Sequence, residues 1–278
     1  MQTIDQHSFP FSGDDPTGVA VNNWLVMKFG GTSVSSPKSW ATIRDLAIER
    51  QAAGFRPVIV HSALATVSNR LEAILQSAIS GEYDQPMERI RKIHTDLATG
   101  LGLHGDIILG PFFAELEQLL SGIRQQGKVS ARVKASVMSL GELMATTIGA
   151  AFLDSEGLET SWVDARDALK SVPLAGENER SRYLSASCDI DPDRSLQDSF
   201  SRYPGVILTQ GFIASNTAGE GVLLGRGGSD TSAAYFAAKL SAAGLEIWTD
   251  VPGLFSANPR EVSGARLLNV LNYEEAQE

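Results

Sequence analysis

Cysteine is nearly absent from this 278-residue chain, which contains only Cys188. A single thiol excludes an internal disulfide, and this usage suits a reducing compartment. No local pattern of Cys and His surrounds Cys188, so we interpret it as a structural residue.

The chain also lacks an excess of positive charge and long apolar runs. Its formal net charge is −10 at pH 7, which argues against a nucleic-acid-binding surface because such surfaces need a basic stripe. No apolar run approaches the ~20 residues that span a bilayer. We expect residues 1–23, which include Asp5, Asp14 and Asp15, to be a flexible tail and not a signal peptide. The absence of targeting signals favours the cytoplasm.

The most informative segment is Lys28-Phe29-Gly30-Gly31-Thr32-Ser33. It follows an apolar run, 24–27, and precedes Ser36-Pro37, a predicted N-cap and first residue of a helix. Adjacent glycines let backbone N–H groups approach an anion, a helix N-terminus adds partial positive charge, and the lysine adds a full charge. The segment predicts a phosphate-binding turn, although an ordinary strand-to-helix turn has the same local pattern.

The order of elements predicts an α/β fold. A strand at 24–29, a helix from Ser36 to Gly54 and a buried strand at 57–60 form a strand–helix–strand unit, which requires a parallel sheet. The further predicted elements are a mostly helical stretch at 66–157, strands at 160–163, 205–213, 222–224 and 245–249, and a helix at 229–243. We expect a mostly parallel sheet covered by helices on both faces, with ligands at the carboxyl ends of its strands.

Two glycine patterns do not predict nucleotide sites. Gly122 to Lys128 nearly fits the P-loop, but Val129 replaces the required Ser or Thr and a helix precedes it, so we interpret Gly127 as a helix C-cap. The segment 100–105 fits G-x-G-x-x-G without a preceding strand, which favours a loop between helices.

Two clusters in the first half of the chain carry residues suited to ligands. Ser62 to Asn69 places small hydroxyl residues after the second strand, where they can bind phosphate or carboxylate, cap the next helix, or do both. Gly141-Glu142 offers a carboxylate to an ammonium ligand. From the residue alone, however, a solvated helix charge is the favoured interpretation of Glu142.

Two more clusters lie in the second half. The segment 225–232 combines three glycines with Arg226, whose planar guanidinium suits a carboxylate, and with Ser229 or Asp230 as a helix cap. A glycine-rich helix start without a ligand is the alternative. The segment 249–260 is either a plain turn or a nucleotide-binding loop, since it provides an aromatic ring, a carboxylate and an arginine.

Taken together and in this order, these residues resemble the aspartokinases, which are members of the amino-acid kinase family. Lys28 to Val34 is close to their N-terminal signature, and Gly225–Asp230 and Thr249–Arg260 match their two later motifs. The acetylglutamate and uridylate kinases are less similar. The resemblance implies a three-layer α/β/α sandwich of the carbamate kinase-like kind, with a catalytic domain over residues 24–278.

The resemblance also implies an activity, the ATP- and Mg²⁺-dependent phosphorylation of the β-carboxylate of L-aspartate. The product, 4-phospho-L-aspartate, begins the synthesis of lysine, threonine and methionine. The β-carboxylate has a pKa near ~4 and is ionised at neutral pH, so the reaction needs no general base. The alternative is a non-catalytic domain that binds a nucleotide or an amino acid and regulates a larger fusion protein.

The same resemblance implies a role for each matching residue. Lys28 and Asp230 form the catalytic pair, in which Asp230 orients Lys28. The residues implied to bind ATP are Lys28, Gly30, Gly31, Ser33, Thr249, Asp250, Phe255 and Arg260. The residues implied to bind aspartate are Ser62, Ser68, Glu142, Arg226 and Ser229, with Glu142 on the amino group and Arg226 on a carboxylate.

The chain departs from the pattern at three positions and at its end. Thr66 stands where glycine is common, Phe255 where tyrosine is common, and Asn258 where aspartate is common. Aspartokinases continue with a further nucleotide-contacting lysine segment, and many carry ACT domains that bind feedback inhibitors. We therefore expect the catalytic domain to be incomplete at residue 278 and a regulatory or fused domain to lie outside this chain. We also expect the protein to be a homo-oligomer.

Overall fold

Residues 22–173, 176–225, 227–249, 253–259, 261–268 and 270–272 are described by a computed structural model of the chain. The strands are β1 (Trp24–Phe29), β2 (Arg56–His61), β3 (Thr160–Val163), β4 (Val206–Gln210), β5 (Ile213–Ser215), β6 (Gly221–Leu223) and β7 (Gly244–Trp248). The helices are α1 (Pro37–Ala52), α2 (Val67–Ser80), α3 (Asp84–Gly100), α4 (Gly105–Gln126), α5 (Ala131–Ser155), α6 (Ala165–Ala168), α7 (Glu179–Leu184), α8 (Arg194–Ser201) and α9 (Gly228–Lys239). A 3-10 helix, Thr32–Val34, lies between β1 and α1.

Five of the strands form one sheet in the order β3-β4-β2-β1-β7, and every described pair in it is parallel. In this register Lys28 lies between Val60 of β2 and Ile247 of β7. β5 and β6 form a separate antiparallel pair. The predicted α/β fold with a mostly parallel sheet is confirmed, and the carboxyl ends of β1, β2, β4 and β7 meet at one edge.

Helices cover both faces of this sheet. Successive side chains of a strand point to opposite faces, and Lys28 reaches Asp230 of α9. Phe29 instead stacks on Trp248, whose ring also contacts the guanidinium of Arg50 in α1. α1 and α9 therefore lie on opposite faces, as a three-layer sandwich requires.

One predicted strand, 205–213, is wrong in its extent. β4 ends at Gln210, and β5 begins at Ile213 in the other sheet. Phe212, between them, has a φ of 67°, which lies outside the range of a regular strand. The apolar character of the run predicted strand correctly, but the turn inside it depends on contacts that are distant in sequence.

Local end signals were predicted correctly at three helices. The side chain of Ser36 accepts a hydrogen bond from the backbone N–H of Ser39 at the start of α1. Gly127 ends α4 in the left-handed conformation with a φ of 65°, so its interpretation as a C-cap is confirmed. The loop expected within 100–105 joins α3 to α4.

α5 is the central helix of the core. By length and composition its 25 residues could cross a membrane, so the expectation that the chain has no such segment is wrong. In the structure, however, 83% of its apolar window is buried. At Gly149 the helix contacts Trp40 of α1, and a Cβ there would lie 2.0 Å from Cη2 of the indole. Trp40 is fully buried, so the ring fills space that only a glycine leaves open.

Gly149→Ala tests this packing. A methyl group at 2.0 Å forces the indole or α5 to move. We expect the free energy of unfolding, measured by urea denaturation, to fall by roughly 1–3 kcal/mol, the usual cost of overpacking.

Gly122→Ala in α4 is the matched control. Apart from its own helix backbone and chain neighbours, no described atom lies within 4 Å of its Cβ position. Because alanine has the higher helix propensity, the free energy of unfolding should rise by up to about 1 kcal/mol. Equal effects of the two substitutions would contradict close packing at Gly149.

Candidate active site

An ion pair lies at the carboxyl end of β1. Nζ of Lys28 is 2.6 Å from Oδ1 of Asp230, and their side chains are 12% and 52% exposed. Asp230 belongs to the first turn of α9. The structure thus brings together the two residues that were predicted to act as a pair, at the sheet edge where ligands of α/β proteins bind.

The glycine pair after β1 forms a fixed turn. The backbone N–H of Ser33 donates to the carbonyl oxygen of Gly30 at 3.0 Å, and that of Val34 donates to Gly31. The helix that follows directly is the three-residue 3-10 helix, and α1 begins only at Pro37. The expected helix N-terminus beside the glycines is therefore this short 3-10 helix and not α1.

The glycine turn is held against the loop after β2. A Cβ at Gly31 would lie 2.7 Å from the carbonyl oxygen of Ala63, so this position requires glycine. Ser35 donates to the carbonyl oxygen of Gly31 at 2.6 Å and accepts from the N–H of Ala65 at 2.8 Å. The sequence analysis missed Ser35. Its position directly after the Lys28–Val34 signature could have indicated a role in holding the glycine turn.

Two predicted substrate residues, Ser62 and Ser229, are in contact. Ser62 Oγ donates to Ser229 Oγ at 2.8 Å. Ser229 is buried in the first turn of α9, and a Cβ at Gly211 would lie 2.4 Å from its Cβ. The ends of β2 and β4 therefore both contact the start of α9, and Gly211 is a further residue that sequence reasoning missed.

The expected helix caps at α2 and α9 are wrong. Thr66 precedes α2 with a φ of 70° and makes no side-chain cap, and Ser68 lies half-buried within the first turn. Gly227, with a φ of 85°, stands at the N-cap position of α9, so Ser229 and Asp230 lie inside the helix. Both helices are preceded by a residue in the left-handed conformation. The presence of Ser, Thr or Asp near a helix start does not predict this conformation.

Glu142 is buried, so its interpretation as a solvated helix charge is wrong. The residue is 3% exposed, and Oε1 accepts the N–H of Ala63 at 3.3 Å. Oε2 has no hydrogen-bond partner among the described residues. Burial raises the pKa of Glu142 to about 8, against a smaller lowering by the N–H of Ala63. An unpaired buried carboxyl group is costly, and a cationic ligand would relieve that cost.

Gly141 allows this burial. A Cβ there would lie 3.0 Å from Leu71 Cδ1 and 3.1 Å from the Cβ of Ala63. α5 thus approaches the loop after β2 closely, as the glycine beside Glu142 indicated.

His61, which ends β2, is a buried residue that the sequence analysis missed. Its Nδ1–H donates to the carbonyl oxygen of Ser62 at 2.8 Å, and its ring contacts Trp40 edge-on. Burial lowers the pKa of His61 to about 4, so the ring is neutral at pH 7. It lies inside an apolar run, and no signal in the sequence distinguished it.

The predicted nucleotide residues are only partly described. Ser33 and Thr249 line one pocket of about 310 Å³, together with Phe29 and Trp248. Phe255 forms a bridge with Leu267.

Asp250 and Arg260, together with the predicted aspartate ligand Arg226, lie outside the described residues. A larger cleft, of about 610 Å³, lies between α2, α5 and α7, and none of the predicted site residues lines it.

The profile of the amino acid kinase family matches residues 23–278. The chain belongs to this family. The fold of this amino acid kinase domain matches that of a crystal structure of aspartokinase III from E. coli in complex with aspartate and ADP. The TM-score is 0.73 at 29% identity, over 88% of this chain and 53% of that one.

Curated relatives of the amino acid kinase domain carry related names. It is 36% identical to a bifunctional aspartokinase/homoserine dehydrogenase from Haemophilus influenzae, over 91% of this chain and 31% of the relative. It is 31% identical to lysine-sensitive aspartokinase 3 from Escherichia coli, over 91% of this chain and 55% of the relative. The chain thus spans from about a third to about half of the length of these proteins.

Thr66→Gly tests the strain at the start of α2 in this amino acid kinase domain. A β-branched residue in the left-handed region costs roughly 1–3 kcal/mol, whereas the extra freedom of glycine costs roughly 0.5–1 kcal/mol. We expect the free energy of unfolding to stay constant or to rise by about 1 kcal/mol, as measured by urea denaturation.

Thr42→Gly is the control, since Thr42 is an exposed residue in the interior of α1. Glycine there should lower the free energy of unfolding by a few tenths of a kcal/mol to about 1 kcal/mol. A loss at Thr66 as large as the loss at Thr42 would contradict strain at Thr66.

Proposed function

We propose that this domain, as part of a longer protein, transfers the γ-phosphoryl group of ATP to the β-carboxylate of L-aspartate. The products are 4-phospho-L-aspartate and ADP. The observation that carries the proposal is the 2.6 Å ion pair of Lys28 and Asp230 beside the glycine turn. The aspartokinase names of relatives that match 91% of the chain support the choice of substrate.

Lys28 and the glycine turn would hold the transferred phosphoryl group. Phosphoryl transfer is catalysed mainly by positioning and by neutralising charge. Lys28 supplies a cation on a side chain that is 12% exposed, and Asp230 would fix its position. The turn at Gly30 and Gly31 supplies backbone without side chains, so phosphate oxygens can approach N–H groups closely.

Ser62, Ser68, Glu142 and Ser229 would bind the amino acid, together with Arg226. The unpaired Oε2 of Glu142 offers a buried acceptor for an ammonium group. A carboxylate acceptor is ionised at neutral pH and needs no general base. The residues of the acceptor site therefore need only hold and orient aspartate against the phosphoryl group.

Mg²⁺ would bind at this site together with the phosphates of ATP. Within the described ranges, no group of three His, Cys, Asp or Glu residues could hold a metal ion. Mg²⁺ in kinases is bound by one or two carboxylates, waters and the phosphates of the nucleotide, and Asp230 is half-exposed beside Lys28. When bound, the ion neutralises charge on the phosphates.

The wider context follows from the same assignment. The product would enter the synthesis of lysine, threonine and methionine in the cytoplasm. A fused second domain fits the bifunctional relatives. We also expect a homo-oligomer.

ADP release by the natural full-length chain tests the proposal. We expect release to depend on L-aspartate and to be absent with L-glutamate or without an acceptor. Lys28→Ala should lower kcat at least ~100-fold, because the cation that stabilises the transition state is removed. Circular dichroism should show that the fold is intact. Lys92→Ala, at a lysine that is 70% exposed, is the control and should leave kcat unchanged.

Two results would contradict the proposal. Equal rates with and without aspartate would exclude aspartate as the acceptor. Calorimetric binding of ADP and aspartate without turnover would favour the non-catalytic regulatory domain instead.

The pKa of Glu142 predicts a pH-dependent stability. The folded carboxyl group keeps its proton up to about pH 8, whereas the ordinary value is 4.5. Between these values the folded state binds more protons than the unfolded state, so stability falls as pH rises. The free energy of unfolding of the wild type, relative to Glu142→Gln, should decrease by up to about 1.4 kcal/mol per pH unit.

Urea denaturation at pH 5.5, 6.5 and 7.5 measures this difference. Saturating L-aspartate should flatten the slope, because its ammonium group favours the ionised carboxylate. Succinate lacks the amine and should leave the slope as it is. A slope that is already flat without ligand would rule out a neutral buried carboxyl group at Glu142.

A further inference from the structure

The turn between β4 and β5 has an unusual backbone. Phe212 has a φ of 67°, and the N–H of Ile213 donates to the carbonyl oxygen of Gly211 at 2.9 Å. This is a three-residue turn around a central residue with positive φ, a form that is rare and strained. Such strain persists only where surrounding contacts enforce it, and it clusters at functional sites.

Ser232 of α9 provides a side-chain contact to this turn, in addition to the backbone hydrogen bonds from Leu224 to Phe212 and from Gly211 to His61. The backbone N–H of Phe212 donates to Ser232 Oγ at 2.7 Å. Ser232 Oγ in turn donates to the carbonyl oxygen of Gly228 at 3.1 Å, and Ser232 is fully buried. The hydroxyl group therefore uses its one donor within α9 and an acceptor site on the turn.

The same turn packs on the residues that begin α9. A Cβ at Gly228 would lie 3.2 Å from Cδ2 of Phe212, and Gly211 approaches Ser229 closely. The N-cap residue, Gly227, makes no side-chain cap. The first turn of α9 is thus positioned from outside the helix, by the turn after β4 and by the contact of Ser229 with Ser62 after β2.

Asp230 lies in this first turn. Its side chain is 52% exposed, so few contacts of its own hold it. The position of its carboxylate against Lys28 follows from the backbone of the turn, which Ser232 ties to Phe212.

We propose that Ser232 is a positioning residue: by accepting the N–H of Phe212, it fixes the first turn of α9 so that Asp230 holds Lys28 in place. The kinetic consequence rests on the function proposed above. The structural consequence is that Lys28 loses its partner when Ser232 loses its hydroxyl group, and this consequence is independent of the proposed function.

Ser232→Ala in the full-length chain tests the proposal by two measurements. The first is the rate at which N-acetoxysuccinimide acetylates Lys28, followed by mass spectrometry, because a lysine released from its ion pair is more accessible. We expect this rate to rise roughly fivefold, and kcat to fall roughly 10- to 100-fold with KM for aspartate within about twofold, as expected for a misplaced catalytic group. Ser232→Thr keeps a hydroxyl group and should restore both values.

Ser215→Ala is the matched control. Ser215 is also buried, and its hydroxyl group accepts from Lys170 and donates to the carbonyl oxygen of Arg166. This substitution removes a comparable pair of hydrogen bonds in β5 and should change neither the acetylation of Lys28 nor kcat. If Ser215→Ala accelerates acetylation as much as Ser232→Ala does, general loosening explains the result and the proposal is overturned.

The remaining outcomes are distinguishable. Unchanged acetylation and unchanged kcat in Ser232→Ala overturn the positioning role, whatever the wild type does. A wild type that releases no ADP with aspartate refutes the proposed function, while faster acetylation of Lys28 would still support the positioning role. Should Ser232→Ala not fold, Ser232→Cys, with a weaker acceptor of similar size, replaces it and should give a smaller increase in acetylation.

Discussion

A lysine whose side chain is only 12% exposed needs a carboxylate beside its ammonium group, and at the end of β1 that carboxylate is Asp230. The partners come from the first strand and the last helix of the described chain, so their contact depends on how α9 packs against β1. β1 places Lys28 by its pairing with β2 and β7. The ends of β2 and β4 place Asp230 through the first turn of α9. The ion pair thus depends on the correct register of the parallel strands.

The two halves of the candidate site have different electrostatic characters. Around Lys28 the backbone turn and the ammonium group favour anions. Around Glu142 a buried carboxyl group has no partner for one oxygen and stays protonated at neutral pH. An anionic group beside Lys28 and a cationic group beside Glu142 would therefore each meet a complementary environment.

Features that depend on neighbouring residues could be predicted from the sequence, and those that depend on distant contacts could not. The cap at Ser36 and the end of α4 at Gly127 follow from side-chain and backbone preferences over one turn. The pairing of Lys28 with Asp230 came from the resemblance and not from spacing. The burial of Glu142 depends on the loop after β2, which is 79 residues away. The turn at Phe212 depends on Ser232, and no local propensity favours an aromatic residue with positive φ.

The indole of Trp40 has a consequence for the distance between the two halves of the site. Its Nε1–H donates to the carbonyl oxygen of Val34 at 2.9 Å, at the end of the 3-10 helix that follows the glycine turn. Its ring lies against Gly149 of α5, two helical turns beyond Glu142 and on the same side of the helix. The indole therefore links the segment after the glycine turn to the helix that carries Glu142, in addition to the contacts that the glycine turn and α5 both make with Ala63. A smaller side chain at this position would leave a cavity between α1 and α5, and the relative position of the glycine turn and Glu142 would then depend on the loop after β2.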